Sequence, residues 1–151
     1  MALPEFTCRL AVESDRDAVE RLDTLSFTEG AAFRGVDALH ESLGDFGSRW
    51  PMTGPLDQHT FYAVCVAEEI VGFASLDWLS TPVPMLTRIY VLPDARELGA
   101  GAALLRFVLA EAARAGHPVV DAVSLPGDRE TKNLYERQGM KARLIIASAN
   151  T

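Results

Sequence analysis

Arg96-Glu97-Leu98-Gly99-Ala100-Gly101-Ala102 is the stretch on which the reading of this chain turns. Two glycines one residue apart open a long apolar helical stretch and follow a strand-like run, Leu86 to Leu92. A helix start leaves its first backbone N–H groups without intrahelical acceptors and carries the positive end of the helix dipole, so it cradles phosphate without side-chain help. Gly99 and Gly101 let the chain bend tightly there and let a ligand approach the backbone.

Working downstream, the helix is expected over about Ala100 to Ala115, with Leu104, Leu105, Val108 and Ala112 at core spacing. Gly116 stands where a left-handed C-terminal residue belongs, and Pro118 prevents continuation. Val119 to Leu125 is apolar enough for a central strand. Pro126-Gly127 turns the chain, Asp128 is placed to cap a short helix of about Arg129 to Gln138, and Leu144-Ile145-Ile146-Ala147 reads as a last strand.

Upstream, Phe6 to Val12 reads as a first strand, and Ser14-Asp15-Arg16-Asp17 offers an N-cap with an acid at the third helical position, as in a capping box. The helix after it carries Val19, Leu22 and Leu25 as an apolar stripe. A second helical stretch, about Phe33 to Leu43, follows. Gly44 to Gln58 is turn-rich, with Gly44, Gly47, Pro51, Gly54 and Pro55, yet holds Phe46, Trp50 and Met52, which either cover the core or line a pocket. Thr60 to Ala67 and Ile70 to Trp78 are β-rich runs joined by Glu68-Glu69, a hairpin in spacing though not in favoured turn chemistry. The order β, α, α, β, β, β, α, β, α, β predicts a mixed α/β (α+β) architecture with helices on the faces of one sheet, in a single domain over residues 1–151.

Composition bounds the function. A chain of 151 residues with 48% hydrophobic and 23% charged residues is an ordinary globular sequence, long enough to bury ~70% of the surface its unfolded form exposes. A net charge of −7 and a pI near 4.9 argue against broad contact with nucleic acid or anionic membrane, and favour small or cationic partners. Cys8 and Cys65 lie far apart in strand-like runs, without metal-ligand spacing, and are expected reduced and buried; no metal is expected. The N-terminus has no basic region followed by an apolar core, and no apolar run reaches membrane-spanning length, so a cytoplasmic protein is the expectation.

Which phosphate ligand the loop holds is decided by its surroundings. A nucleotide-hydrolysing P-loop requires a lysine that is absent here. A dinucleotide fold requires a third glycine where Leu104 stands and a tight turn where six residues separate the strand from Gly99; Asp121 also falls early in its strand rather than at the end. By contrast, Arg96-x-x-Gly99-Ala100-Gly101-Ala102 resembles the coenzyme A loop of the Gcn5-related N-acetyltransferases, Gln/Arg-x-x-Gly-x-Gly/Ala at a strand-to-helix junction. Tyr90-Val91-Leu92-Pro93 before the loop and Leu104-Leu105 after it are similar to the family as well. Further on, Asn133-Leu134-Tyr135-Glu136-Arg137-Gln138-Gly139-Met140 resembles its second motif, Leu-Tyr-Glu-x-x-Gly-Phe.

The resemblance implies the acyl-CoA N-acyltransferase fold, a mostly antiparallel sheet splayed at its centre, and an acetyl-CoA-dependent N-acetyltransferase acting on a small-molecule or peptide amine. It puts the pantetheine arm along the backbone of Ile89, Tyr90 and Val91, and the pyrophosphate at the N–H groups of Leu98, Gly99, Ala100, Gly101 and Ala102, with Arg96 adding a charge-assisted bond. Tyr135 matches the family's general acid for the leaving thiolate. Asn133 either contacts the cofactor or faces solvent. Asp128 stands where the family often has asparagine; beside a polyphosphate it is repelled unless it points away, which favours the capping role.

No acid lies in Met85 to Leu92, where many relatives carry a base. That matters because deprotonating a lysine-like amine at pH 7 costs about 4 to 5 kcal/mol, against about 1 for an α-amine. Asp77 is the nearest candidate acid, with Trp78, Phe46 and Trp50 as possible acceptor-pocket residues and His40 and His59 as weaker bases. A noncatalytic coenzyme A-binding or interaction module is the alternative, and a homodimer is among the family's habits.

Overall fold

The β-branched and aromatic runs pair with one another. In the computed structural model, which describes residues 4–51 and 58–151, β1 (Thr7–Leu10), β2 (His59–Val66), β3 (Glu69–Asp77) and β4 (Met85–Val91) are successive antiparallel neighbours, and β5 (Asp121–Ala122) joins β4 in parallel. The helices are α1 (Arg16–Glu29), α2 (Val36–Leu43), α3 (Phe46–Arg49), α4 (Pro93–Arg96), α5 (Ala100–Arg114) and α6 (Arg129–Arg137).

Helices cover both faces of the sheet. On one, Leu104, Leu105, Val108 and Ala112 of α5 are fully buried against Val64, Ala74, Leu76 and Leu86, with Tyr135 of α6 in the same cluster. Each large α5 side chain contributes about 1.5–3 kcal/mol by burial. On the other, Val19 and Leu22 of α1 pack with Phe46, Trp50, Phe61 and Phe73. The turn-rich segment therefore covers the core with Phe46 and Trp50; Met52, Gly54 and Pro55 lie outside the described residues.

Several expectations shift by a residue or more. The hairpin turns at Ala67 and Glu68, both at positive φ (47° and 72°), because the ladder runs to Val66↔Glu69. The second helix begins at Val36 rather than Phe33, after Gly35 at φ 85°. Asp15 replaces Ser14 as the organiser of the first helix start. Its carboxylate accepts from Val12 N–H at 2.8 Å and from Arg9 at 2.6 and 3.0 Å, and the Arg9 guanidinium holds it below the usual carboxylate range. The expected last strand does not form. Leu144, Ile145 and Ile146 are 79%, 87% and 81% exposed, because β5 offers a ladder of only two residues and none of the described residues covers their faces. Cys65 is buried and Cys8 half-buried, both free thiols raised by burial. Among the described residues no helix is long and apolar enough to cross a membrane.

Candidate functional site

β4 and β5 pair only at Met85↔Asp121 and Leu86↔Ala122, then part. Leu86 pairs with Leu76 and Arg88 with Ser75, so Thr87 is an extra, bulged residue at the parting point. Bulges bend a strand and re-aim its side chains. Beyond the bulge, Ile89 and Val91 pack toward α5, while Arg88 and Tyr90 turn toward α1. Leu92 N–H donates to Val71 O on the β3 side (2.8 Å), so the Val91 and Ile89 N–H groups, at alternate positions, face the gap. A cavity of about 790 Å³ fills this gap, lined by Ile89, Tyr90, Val91, Arg96, Gly99, Gly101, Ala102, Asn133 and Tyr135 among others.

The glycine loop closes one end of the cavity. Gly99 has φ 93° and a Cβ built there would meet nothing within 4 Å, so the space above it is open; at Gly101 a Cβ would lie 3.4 Å from Leu134, so that glycine also lets α6 approach α5. Leu98 and Gly99 donate their N–H to Ala95 and Arg96 carbonyls at 3.2 and 3.1 Å. Those two amides are engaged within the loop itself, whereas the amides of Ala100, Gly101 and Ala102 have no protein acceptor among the described residues.

Arg96 is already engaged. Its Nε donates to Val91 O at 2.7 Å, and its terminal nitrogens pair with Glu29 and Glu130, each at 2.7 Å, tying α1, β4 and α6 together. Tyr90 donates to Glu29 at 2.7 Å; burial, with Glu29 beside it, pushes its phenol up to about 12. A phosphate reaching Arg96 would displace Glu130, the more exposed of the two carboxylates.

Tyr135 is 8% exposed and its hydroxyl donates to Val123 O at 2.8 Å. Burial raises its pKa strongly, with Asp128 adding and Arg88 opposing. Asp128 takes the capping role, accepting from the Thr131 N–H at 3.1 Å and from its hydroxyl at 2.7 Å. Asn133 lies on the cavity wall, two residues before Tyr135 on α6.

Asp77 and Trp78 are not brought to this cavity. The Asp77 carboxylate accepts the Leu79 and Ser80 N–H groups, both at 3.1 Å; burial raises its pKa, but the bonds from Ser80 and Leu79 and the nearby His59 outweigh that and lower it. Trp78 donates to Thr60 at 2.8 Å and packs on His117. His40, stacked on Phe27, and His59, beside Asp77, also stand off the wall.

One cluster on the α1 side went unread in the sequence. Asp23 receives Arg49 at 3.1 Å and Arg88 at 3.5 Å, with Arg88 stacked over Phe27 at 4.0 Å; of the three, Arg88 lines the cavity. The only signal available was an arginine inside the otherwise uncharged strand Met85 to Val91.

A parted strand pair, a glycine-opened helix with free amides and a buried tyrosine on the wall between them form a site for an extended, phosphate-bearing acyl carrier. The sequence matches the Acetyltransferase (GNAT) family over residues 18–140, and the chain belongs to that family. The fold agrees with solved structures. A Pyrococcus furiosus protein assigned as an acetyl transferase is 25% identical, covers 97% of this chain and 100% of its own, and has a TM-score of 0.72. AAC(6')-Iy, in complex with the bisubstrate analog CoA-S-monomethyl-acetylneamine, is 17% identical over 97% and 99% of the two chains, TM-score 0.65. The aminoglycoside 6'-N-acetyltransferase AAC(6')-IG of Acinetobacter haemolyticus is 14% identical over 96% and 97%, TM-score 0.65. A search of curated proteins finds no match.

Proposed function

We propose that the chain is an acetyl-CoA-dependent N-acetyltransferase that acts on a primary amine of a small molecule or peptide by direct attack in a ternary complex. The observation that carries this reading is the continuity of one cavity from the parted β4 backbone to the three free amides of α5, with Tyr135 on its wall. Acetyl-CoA, when bound, supplies the thioester whose C–S bond breaks as the acceptor nitrogen forms its C–N bond.

The chain's own groups have distinct tasks. The amides of Ala100, Gly101 and Ala102 hold the pyrophosphate at the positive end of a 15-residue helix. The inward N–H groups of Ile89 and Val91 are fixed dipoles for the pantetheine amides and for charge developing on the thioester oxygen. Tyr135 gives its proton to the departing sulfur by turning from Val123 O, and the proton lost from the attacking nitrogen leaves to water. Asp128, bonded to Thr131, keeps its charge on its own helix.

Tyr135→Phe tests this assignment. Turnover is expected to fall by about tenfold or more, with acetyl-CoA affinity nearly unchanged, measured by thiol release and calorimetry. Unaltered turnover with chemistry rate-limiting refutes the acid role. Cofactor binding without transfer across a broad amine panel favours the noncatalytic alternative.

A further inference from the structure

On the α1 side of the cavity two guanidinium groups share one carboxylate. Asp23 is 5% exposed and Arg49 2%; Arg49 Nη2 stands 3.1 Å from Asp23 Oδ2 and Arg88 Nε 3.5 Å from Oδ1. Two positive charges on one negative leave one uncompensated. Among the described residues Asp23 is the one carboxylate within 4 Å of either guanidinium; the exposed Asp45 acts on Arg49 only from further off.

The cluster is also short of hydrogen bonds. Asp23 Oδ1, Arg49 Nε and Nη1 and Arg88 Nε are buried without a hydrogen-bond partner among the described residues. A buried pair that served stability alone would be matched in charge, since an unpaired buried ion is a large cost. Such costs collect where a ligand completes the set. Arg88 is the member that meets the cavity, held in orientation by Phe27 beneath its guanidinium plane and by the Thr87 bulge before it.

Resting on the transferase reading above, we propose that the acceptor amine carries a carboxylate, and that Arg88 receives that carboxylate as the specificity-determining residue of the acceptor site. A planar guanidinium suits bidentate carboxylate recognition, and its weak hydration makes it the cation that tolerates this burial. The same charge disfavours the ammonium form of an amine held beside it, which eases deprotonation in a site whose β4 strand carries no acid. Tyr135 and Arg88 line the same cavity, so one acceptor can present its carboxylate to Arg88 and its nitrogen toward Tyr135. Polycationic acceptors of the aminoglycoside kind are disfavoured by the uncompensated charge.

The test uses the full chain labelled with ¹⁵N-arginine. The Arg88 Nε–H resonance is identified by its loss in Arg88→Lys, then followed during titration with propionate and, separately, with propionamide, with and without coenzyme A. A saturable shift with propionate alone is expected. In parallel, acetyl transfer is compared between α-amino acids and their carboxamides, with the acids favoured in kcat/KM by at least about tenfold and the preference lost in Arg88→Gln while acetyl-CoA affinity is kept. An arginine signal indifferent to propionate, or moved equally by propionamide, overturns the carboxylate site and leaves the transferase reading intact. Absence of acetyl-CoA binding by calorimetry overturns the transferase reading, and this proposal with it, whatever the arginine signal does.

Discussion

Replacing Asp23 by asparagine removes the carboxylate from a cluster in which the Arg49 side chain is 2% and the Arg88 side chain 11% exposed. Asparagine keeps the volume and one acceptor oxygen, so the change isolates the charge. Among the described residues two guanidinium groups are then buried with no carboxylate within 4 Å, and breaking a buried pair by removing one partner costs about 3–5 kcal/mol. For a domain of this size that lowers Tm by roughly 6–20 °C, at about 2–4 °C per kcal/mol. Arg88→Met is the control. It loses a cation–π contact with Phe27 worth about 1 kcal/mol, but leaves Asp23 and Arg49 as a matched pair, so its net effect is expected within about 1 kcal/mol of zero. In the double variant a single unpaired guanidinium remains, and the loss is expected to be smaller than for Asp23→Asn alone. Urea unfolding at pH 7 by fluorescence and circular dichroism reads all three. If Asp23→Asn costs under about 1 kcal/mol, or Arg88→Met costs more than Asp23→Asn, the surplus of buried positive charge is not what the contacts indicate.

Three further outcomes follow from local geometry. Ala67→Asn with Glu68→Gly puts favoured residues at two positive-φ turn positions, and is expected to stabilise the chain by about 1–2 kcal/mol in thermal unfolding. Gly72→Ala would set a Cβ 2.8 Å from Tyr90 O and from Val91 Cγ2, so a loss of about 1–3 kcal/mol and weaker acetyl-CoA binding are expected, the latter because Val91 walls the cavity. With its pKa raised by burial, Tyr135 stays protonated throughout the neutral and mildly alkaline range, so kcat is expected to show no descending limb below about pH 10. A limb near pH 8 or 9 would assign the acid to another group.

The elements legible in the sequence are those whose signals are local. The α5 stripe and the Gly99 and Gly116 boundaries were readable because helical periodicity and positive-φ glycines are written into neighbouring residues. So was the Asp128 cap. The Leu144–Ala147 segment was not, because its composition matches a strand but a strand also needs a ladder, and β5 pairs at two residues only. The turn at Ala67 and Glu68 carries no glycine or asparagine to mark it; register with β3 imposes it. Asp23, Arg49 and Arg88 come from α1, α3 and β4, and no spacing rule connects them. Each looks alone like a solvated charge, and only the packing of α1 over the bulged strand brings them together.

Calorimetric titration of acetyl-CoA into the intact chain tests most directly whether the parted strands and the three free amides of α5 form an acyl-carrier site. Saturable binding of one molecule per chain, with a dissociation constant of about 100 µM or tighter, is the expected result. No binding at millimolar acetyl-CoA would contradict it.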